Sequence, residues 1–372
     1  MEVTLREITK LLEKHFPLTL ADDWDNSGLQ LGHPLAPISH ILIGLDMSET
    51  MLRYAMNNKV DLIITHHPFF FTGMKCINLD SSQGRIIQGL IQGGINLYSM
   101  HTNLDRAEKG LNQMLAEVLE LQNIQLLDHS MTDELYKLVV YVPPEHEELV
   151  REAICQAGAG AIGKYSDCCF RSPGKGCFRP LNGSRPFLGE TGKLEVVEEL
   201  RLETVVPVEK LNLVVSNMLM AHPYEEVAYD IYRLFNGGKS YSYGRMGMLP
   251  ELVRLEEFCN TVKRAYSLNR LQVVGDLNRR VRKIAVVGGS GSSFIKTAMA
   301  QNCDVLLTGD LKYHEALAAE ADGLAVVDAG HEGTERLVVD YLRKFLQEEL
   351  IRSDYSTAVS AFHRERECIQ II

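Results

Sequence analysis

The chain has 372 residues, 45% of them hydrophobic, and carries 38 Lys and Arg against 49 Asp and Glu for a net charge of -11. A single core stops growing at roughly 250 to 300 residues, so more than one domain is expected. No basic run follows the spacing of a phosphate backbone, which argues against duplex nucleic acid as a partner; no apolar run approaches the ~18 residues of a membrane span; and Glu2, Arg6 and Glu7 replace the apolar core of a signal peptide, so the protein reads as soluble and cytoplasmic, with no membrane contact.

From residue 40 the pattern predicts strand 40–46, helix 48–58, strand 60–65, helix 84–93 and strand 95–100. Such alternation means βαβ units and a mostly parallel sheet. Between 129 and 238 the pattern changes. Strand 136–142, helix 144–157, Gly-rich β-prone pieces over 174–192, strand 201–208, helix 208–220 and strand 227–234 follow in β-α-β-β-α-β order. That order predicts a ferredoxin-like (α+β) domain inserted into the α/β unit, with 236–240 as the hinge back.

The α/β pattern then returns: strand 283–287, helix 293–302, strand 304–308, helix 313–320, strand 325–328 and a long helix over 333–349. The stretch Ile41-Leu42-Ile43-Gly44-Leu45 matches Ile284-Ala285-Val286-Val287-Gly288, and Val60 to Thr65 matches Cys303 to Thr308. The third strand of each copy leads to a histidine, His101 or His331, with a carboxylate four residues later, Asp105 or Glu335. The expected fold is α/β, two duplicated lobes (1–128 and 239–372) with mostly parallel sheets facing a metal cleft, split by the insert at 129–238.

The eight cysteines are scattered with no Cys-x-x-Cys pair, which argues for reduced thiols and against a cysteine-bound metal. Histidines are the better signal. His66 and His67 stand at the carboxyl end of an apolar strand, where open α/β sheets place their ligands. His331 and Glu335 lie on one face of a helix, four apart. With Asp105, and with His101 close by to move protons, these make five N/O ligands: too many for one open tetrahedral site, but suited to two ions about 3.5 to 4 Å apart. Imidazole with carboxylate suits zinc, iron(II), manganese or nickel.

Weaker features have competing readings. Asp25 and Asn26 either orient a metal ligand or bind substrate, or form a turn. His314 either lines the cleft or is a solvated helix residue. Gly288 to Ser292 could cradle a phosphate but lacks the Lys of a P-loop. Phe69-Phe70-Phe71 reads as core rather than a base-stacking platform, and Cys168-Cys169 as buried thiols.

Taken together, Trp24 to Leu29, Ile64 to Pro68, His101 to Asp105, Thr308-Gly309-Asp310 and Gly330-His331 with Glu335 resemble the Nif-three-like dinuclear metal-centre family, also called GTP cyclohydrolase I type 2 homologs. The resemblance implies two divalent ions per chain, zinc first among them, held by His66, His67, Asp105, His331 and Glu335. It also implies a homo-oligomer in the form of a ring-shaped hexamer, and an insert like the PII or CutA fold. Two functions follow. One is a metal-dependent hydrolase acting on a nucleotide or related small molecule, with His101 as catalytic residue. The other is a non-enzymatic metal-binding regulator or scaffold whose insert senses a ligand or partner.

Overall fold

In the computed structural model, which describes residues 3–364, the chain is a mixed α/β protein with three principal sheets. Three domains are expected from the sequence; contacts divide the chain into two compact units. One joins the residues up to His129 with those from Tyr241 onward, and the other is Ser130–Ser240.

The first unit holds two of the principal sheets. The five-stranded one runs in the order Ala358–Ala361, His40–Gly44, Leu62–Thr65, Asn96–Ser99, Gly28–Leu31, parallel except at the last pair. Its inner strands are apolar and buried at almost every position, as a sheet covered on both faces requires. Helices Glu49–Asn57 and Ser82–Gly93 lay Met51, Leu52, Ala55, Ile86 and Leu90 against Leu42 and Ile63.

The six-stranded sheet runs Gln272–Val274, Ala325–Asp328, Val305–Gly309, Arg280–Ser290, Arg245–Arg254, Gln122–Leu126. Only the two pairings made by Val305–Gly309 are parallel; the other three are antiparallel. This departs from the mostly parallel sheet expected. Antiparallel neighbours tolerate a solvated face, and Arg245–Arg254 carries the exposed Pro250, Glu251 and Leu252.

Each sheet of this unit borrows from the far end of the chain. Ala358–Ala361 completes the sheet built from residues 28–99, and Gln122–Leu126 extends the sheet built from 245–328. Helix Leu5–His15, outside the elements expected from the sequence, opens on a capping box formed by Thr4 and Glu7. The long helix expected over 333–349 divides into His331–Glu335 and Leu337–Arg352.

The second unit has strands Leu135–Val142, Cys169–Phe178, Glu195–Pro207 and Tyr229–Arg233, with helix Glu147–Gln156 after the first strand and helix Leu211–Ala221 after the third. All sheet pairings are antiparallel, in the order Cys169–Phe178, Glu195–Pro207, Leu135–Val142, Tyr229–Arg233. Val150, Ile154, Val214 and Met218 from the helices pack on Leu138, Val140, Leu202 and Val206 of the sheet. Cys169, expected as a buried thiol, is half-buried with its sulfur 3.7 Å from that of Cys155. Among the described residues no helix is long and apolar enough to cross a membrane.

Candidate metal centre

His66 and His67 follow directly on strand Leu62–Thr65. Their N–H groups donate to the carbonyls of Gly44 and Leu45, continuing the ladder one step past the strand. The chain then turns, because Thr65 Oγ1 donates to the His67 carbonyl at 2.8 Å and Ser99 Oγ to the same oxygen at 3.3 Å. Side chains that would alternate across a strand are thereby brought together, with ring centroids 4.9 Å apart.

His101 follows strand Asn96–Ser99, and Asp105 lies on the short helix Thr102–Arg106. That helix is braced by Arg106, whose guanidinium pairs with Asp22 at 2.5 Å, donates to the Leu20 carbonyl and lies 4.1 Å over the Tyr243 ring; Tyr243 also donates to Asp22. From the other sheet, His331 and Glu335 come on one helical turn after Gly330, whose φ of 78° favours glycine.

These elements bring ligand atoms to one locus. His66 Nε2 lies 3.6 Å from Asp105 Oδ1 and 3.7 Å from Glu335 Oε1. Glu335 Oε2 lies 3.1 Å from His67 Nε2 and 3.2 Å from His331 Nε2. Two groups, His66 with His67 and His101, and His67 with His331 and Glu335, each have their ligand atoms within 4.8 Å of one another. All five residues expected as metal ligands, and His101, are therefore neighbours. His314 is exposed on helix Tyr313–Ala321 and takes no part in either group.

The four imidazoles share one arrangement. Each has Nδ1 on an oxygen: His66 on the Met100 carbonyl at 2.7 Å, His67 on Asp46 at 2.8 Å, His101 on Asp25 at 2.8 Å, and His331 on Asp310 at 2.6 Å. A carbonyl or an ionised carboxylate can only accept, so Nδ1 is the donor and Nε2 is turned to the cluster. Metal-bound histidines characteristically have this outer support. His66 Nε2 and Asp105 Oδ1 are buried without a hydrogen-bond partner, and Glu335 Oε2 is buried between the Nε2 atoms of His67 and His331. Buried polar atoms are rarely left so, and two of them beside a buried carboxylate fit a site for a cation.

A model of the Duf34/NIF3 (NGG1p interacting factor 3) family matches residues 3–366. The chain belongs to the Duf34/NIF3 family. It is 43% identical over 347 residues to a Bacillus subtilis protein named GTP cyclohydrolase 1 type 2 homolog, covering 93% of this chain and 91% of that one. A protein of the same name from Halalkalibacterium halodurans is 41% identical over 354 residues, 95% of either chain. The crystal structure of a Bacillus cereus protein related to NIF3 superposes over the full length of both chains with a TM-score of 0.91 at 39% identity.

The electrostatics at this Duf34/NIF3 site follow from burial and mutual charge. Burial alone would raise Glu335, but the imidazoles of His331, His66 and His67 hold it well below the usual carboxylate range. Burial would also discharge His67, yet Asp46 and Glu335 outweigh it and push the group up to about 10. Glu335, assisted by Asp310 and opposed by burial, lifts His331 to about 9. Asp105 has no such donor, and burial pushes it up to about 7. Asp25 is held far down despite burial, by His101, by Thr102 Oγ1 at 2.5 Å and by Ser27 Oγ at 2.7 Å.

The roles of several supporting residues emerge only in the structure. Asp46 and Asp310 orient His67 and His331. Asp328, buried at its strand end, accepts from Leu311 N–H at 2.9 Å and Gly330 N–H at 2.8 Å, tying the Asp310 and His331 loops together. Asp25 belongs to the site; Asn26 instead donates to the Phe70 carbonyl at 2.6 Å. The segment Gly288 to Ser292 is no free anion cradle: Gly288, Gly289 and Gly291 donate their N–H groups to Asn112, Thr334 and Thr308. Gly289 has φ 62°, and a Cβ there would meet Glu335 Oε1 at 2.4 Å. Its glycine makes room for the carboxylate.

Proposed function

We propose that this cluster is a two-ion divalent metal centre and that the protein is a metal-dependent hydrolase acting on a nucleotide or a related small molecule, the class to which its relatives' name points. The observation that carries the reading is the shared setting of the four imidazoles, each anchored through Nδ1, with the Nε2 atoms of His66, His67 and His331 facing the buried carboxylates of Asp105 and Glu335. His66, His101 and Asp105 would serve one ion and His331 and Glu335 the other, with His67 between the two groups. His101 becomes a ligand in this reading, where the sequence alone made it a proton carrier. The donor set suits zinc, and also iron(II), manganese or nickel.

Divalent ions so held supply Lewis-acid polarisation and an activated water nucleophile. The chain's own residues do the rest. Asp25, Asp46 and Asp310 fix the imidazole tautomers, Gly289 lets Glu335 close in, and the half-exposed His331 leaves one side of the site open to a substrate. Also part of the proposal are the duplicated lobes, a ferredoxin-like character for Ser130–Ser240, supported by its β-α-β-β-α-β order and antiparallel sheet, and assembly as a ring-shaped hexamer.

Elemental analysis of the purified protein tests the centre: about two metals per chain are expected, falling in Glu335→Ala. A stable, metal-free protein overturns it. Turnover of a nucleotide panel by metal-loaded protein tests the chemistry; no turnover beyond that of His67→Ala removes the hydrolase.

A further inference from the structure

The only tryptophan of the chain stands at the edge of the metal cluster. Trp24 keeps 58% of its surface exposed and Phe71 keeps 52%. Their rings stack, 5.9 Å between centroids and 30° between planes. Each also meets the His101 ring edge to face, Trp24 at 5.9 Å and Phe71 at 5.8 Å. Phe69, by contrast, packs into the core beneath the first sheet, so the three consecutive phenylalanines do different work.

The pair is held in place. Asn26 donates to the Phe70 carbonyl at 2.6 Å, and Gln30 Oε1 accepts from Phe70 N–H at 3.2 Å and from Asn26 Nδ2 at 3.3 Å. Hydrogen bonds thus join the segment after Trp24 to the one before Phe71. On the cluster side, His101 is fixed through Asp25. Large aromatic surface kept in water at a fixed position beside a polar cluster marks a binding surface more than a packing accident. Two π faces with similar tilt accept another flat ring without regard to its hydrogen-bonding edges.

We propose that Trp24 and Phe71 form the wall on which a planar heteroaromatic ring of the substrate stacks, placing that ring's polar substituents toward the ligand cluster. This names a substrate class for the proposed metal site and rests on that reading only for what the ring is brought to. An aliphatic or purely phosphate-bearing molecule gains nothing from the wall.

Because Trp24 is the sole indole, its fluorescence reports the event directly. Titrating the purified full-length protein with guanosine, adenosine and uridine should quench Trp24 emission saturably, whereas ribose 5-phosphate and pyrophosphate, which have no ring, should not. Phe71→Ala should weaken the quenching titration by roughly 5- to 150-fold, the loss of one stacking ring. Trp24→Ala, followed by calorimetry, should weaken guanosine binding over the same range. Both variants should keep wild-type metal content and oligomeric state. Equal quenching by the ringless compounds, unchanged nucleoside binding in both variants, or a changed oligomeric state with unchanged binding, which would make the pair a contact for a second copy, each overturns the proposal. Phe71-dependent quenching in a protein without metal would leave the wall standing and remove the metal centre; two metals without ring-dependent binding would do the reverse.

Discussion

Asp61 and Asp304 make the same hydrogen bonds in two different sheets. Asp61 Oδ2 accepts from the Ser39 N–H at 2.8 Å and the His40 N–H at 3.0 Å; Asp304 Oδ2 accepts from the Arg282 and Lys283 N–H groups, both at 2.8 Å. Asp61 N–H donates to the His40 carbonyl and Asp304 N–H to that of Lys283, while their own carbonyls accept from Asn96 and Ala325. Such agreement at the entry to the second parallel strand supports the proposed duplication. Followed onward, Met100 N–H to Thr65 matches Ala329 N–H to Thr308. His101 therefore corresponds to Gly330, one residue short of the His331 expected from the sequence.

If both aspartates fix their sheets, Asp61→Ala and Asp304→Ala should each cost about 1 to 3 kcal/mol, because each removal strands two N–H donors. Urea denaturation of the two variants checks this. A loss confined to one of them would mean that the matched pattern does not carry equal weight.

The residues behind the imidazoles should act on affinity more than on fold. Asp310→Asn and Asp46→Asn are expected to lower metal affinity by roughly 10- to 100-fold, the usual effect of losing a carboxylate behind a histidine ligand. Competition with a chelator of known affinity measures it, and circular dichroism shows whether the fold is kept.

Loading should depend on pH in a definite sense. With His67 at about 10, His331 at about 9 and Asp105 at about 7, the metal-free site holds protons at neutral pH that ions must displace. Adding zinc in weak buffer should release protons, and apparent affinity should rise with pH through roughly 7 to 10. The raised histidines stabilise the metal-free fold below their unfolded value near 6.5, and that contribution is lost as pH climbs through 9 to 10. The gap in Tm between loaded and metal-free protein should therefore widen with pH. A gap flat from pH 6 to 10 would contradict the assignment.

Gly289→Ala should empty the site while leaving the sheets folded. Its Cβ would meet Glu335 Oε1 at 2.4 Å, and its φ of 62° is left-handed. Metal content should fall toward that of Glu335→Ala. Thermal melts of the two metal-free proteins separate this local effect from a general loss of stability.

The proposed ligands were legible in the sequence because histidines at the ends of apolar strands, and His331 with Glu335 four apart, leave a pattern a single chain can carry. Asp46 was not, since one aspartate after a strand has no spacing of its own, and Asp310 stood in the Thr308-Gly309-Asp310 motif without a role. The insert's element order was readable from alternating apolar runs. Strand Ala358–Ala361 was not, because four residues that pair with a strand more than 300 positions earlier carry no local turn or periodicity to announce them.

That late strand governs when the first sheet can be finished. Ala358 N–H donates to Ser39, Phe362 N–H to Ile43, and His40 Nε2 contacts Ser360 Oγ at 2.8 Å. Until those residues leave the ribosome, His40–Gly44 is an open apolar edge of the kind that recruits other chains. A chain ended between residues 68 and 334 would hold His66 and His67 but neither the covered edge nor Glu335. Assembly of the site and closure of the sheet thus await the same stretch of synthesis, and an incomplete product is marked by its own uncovered strand.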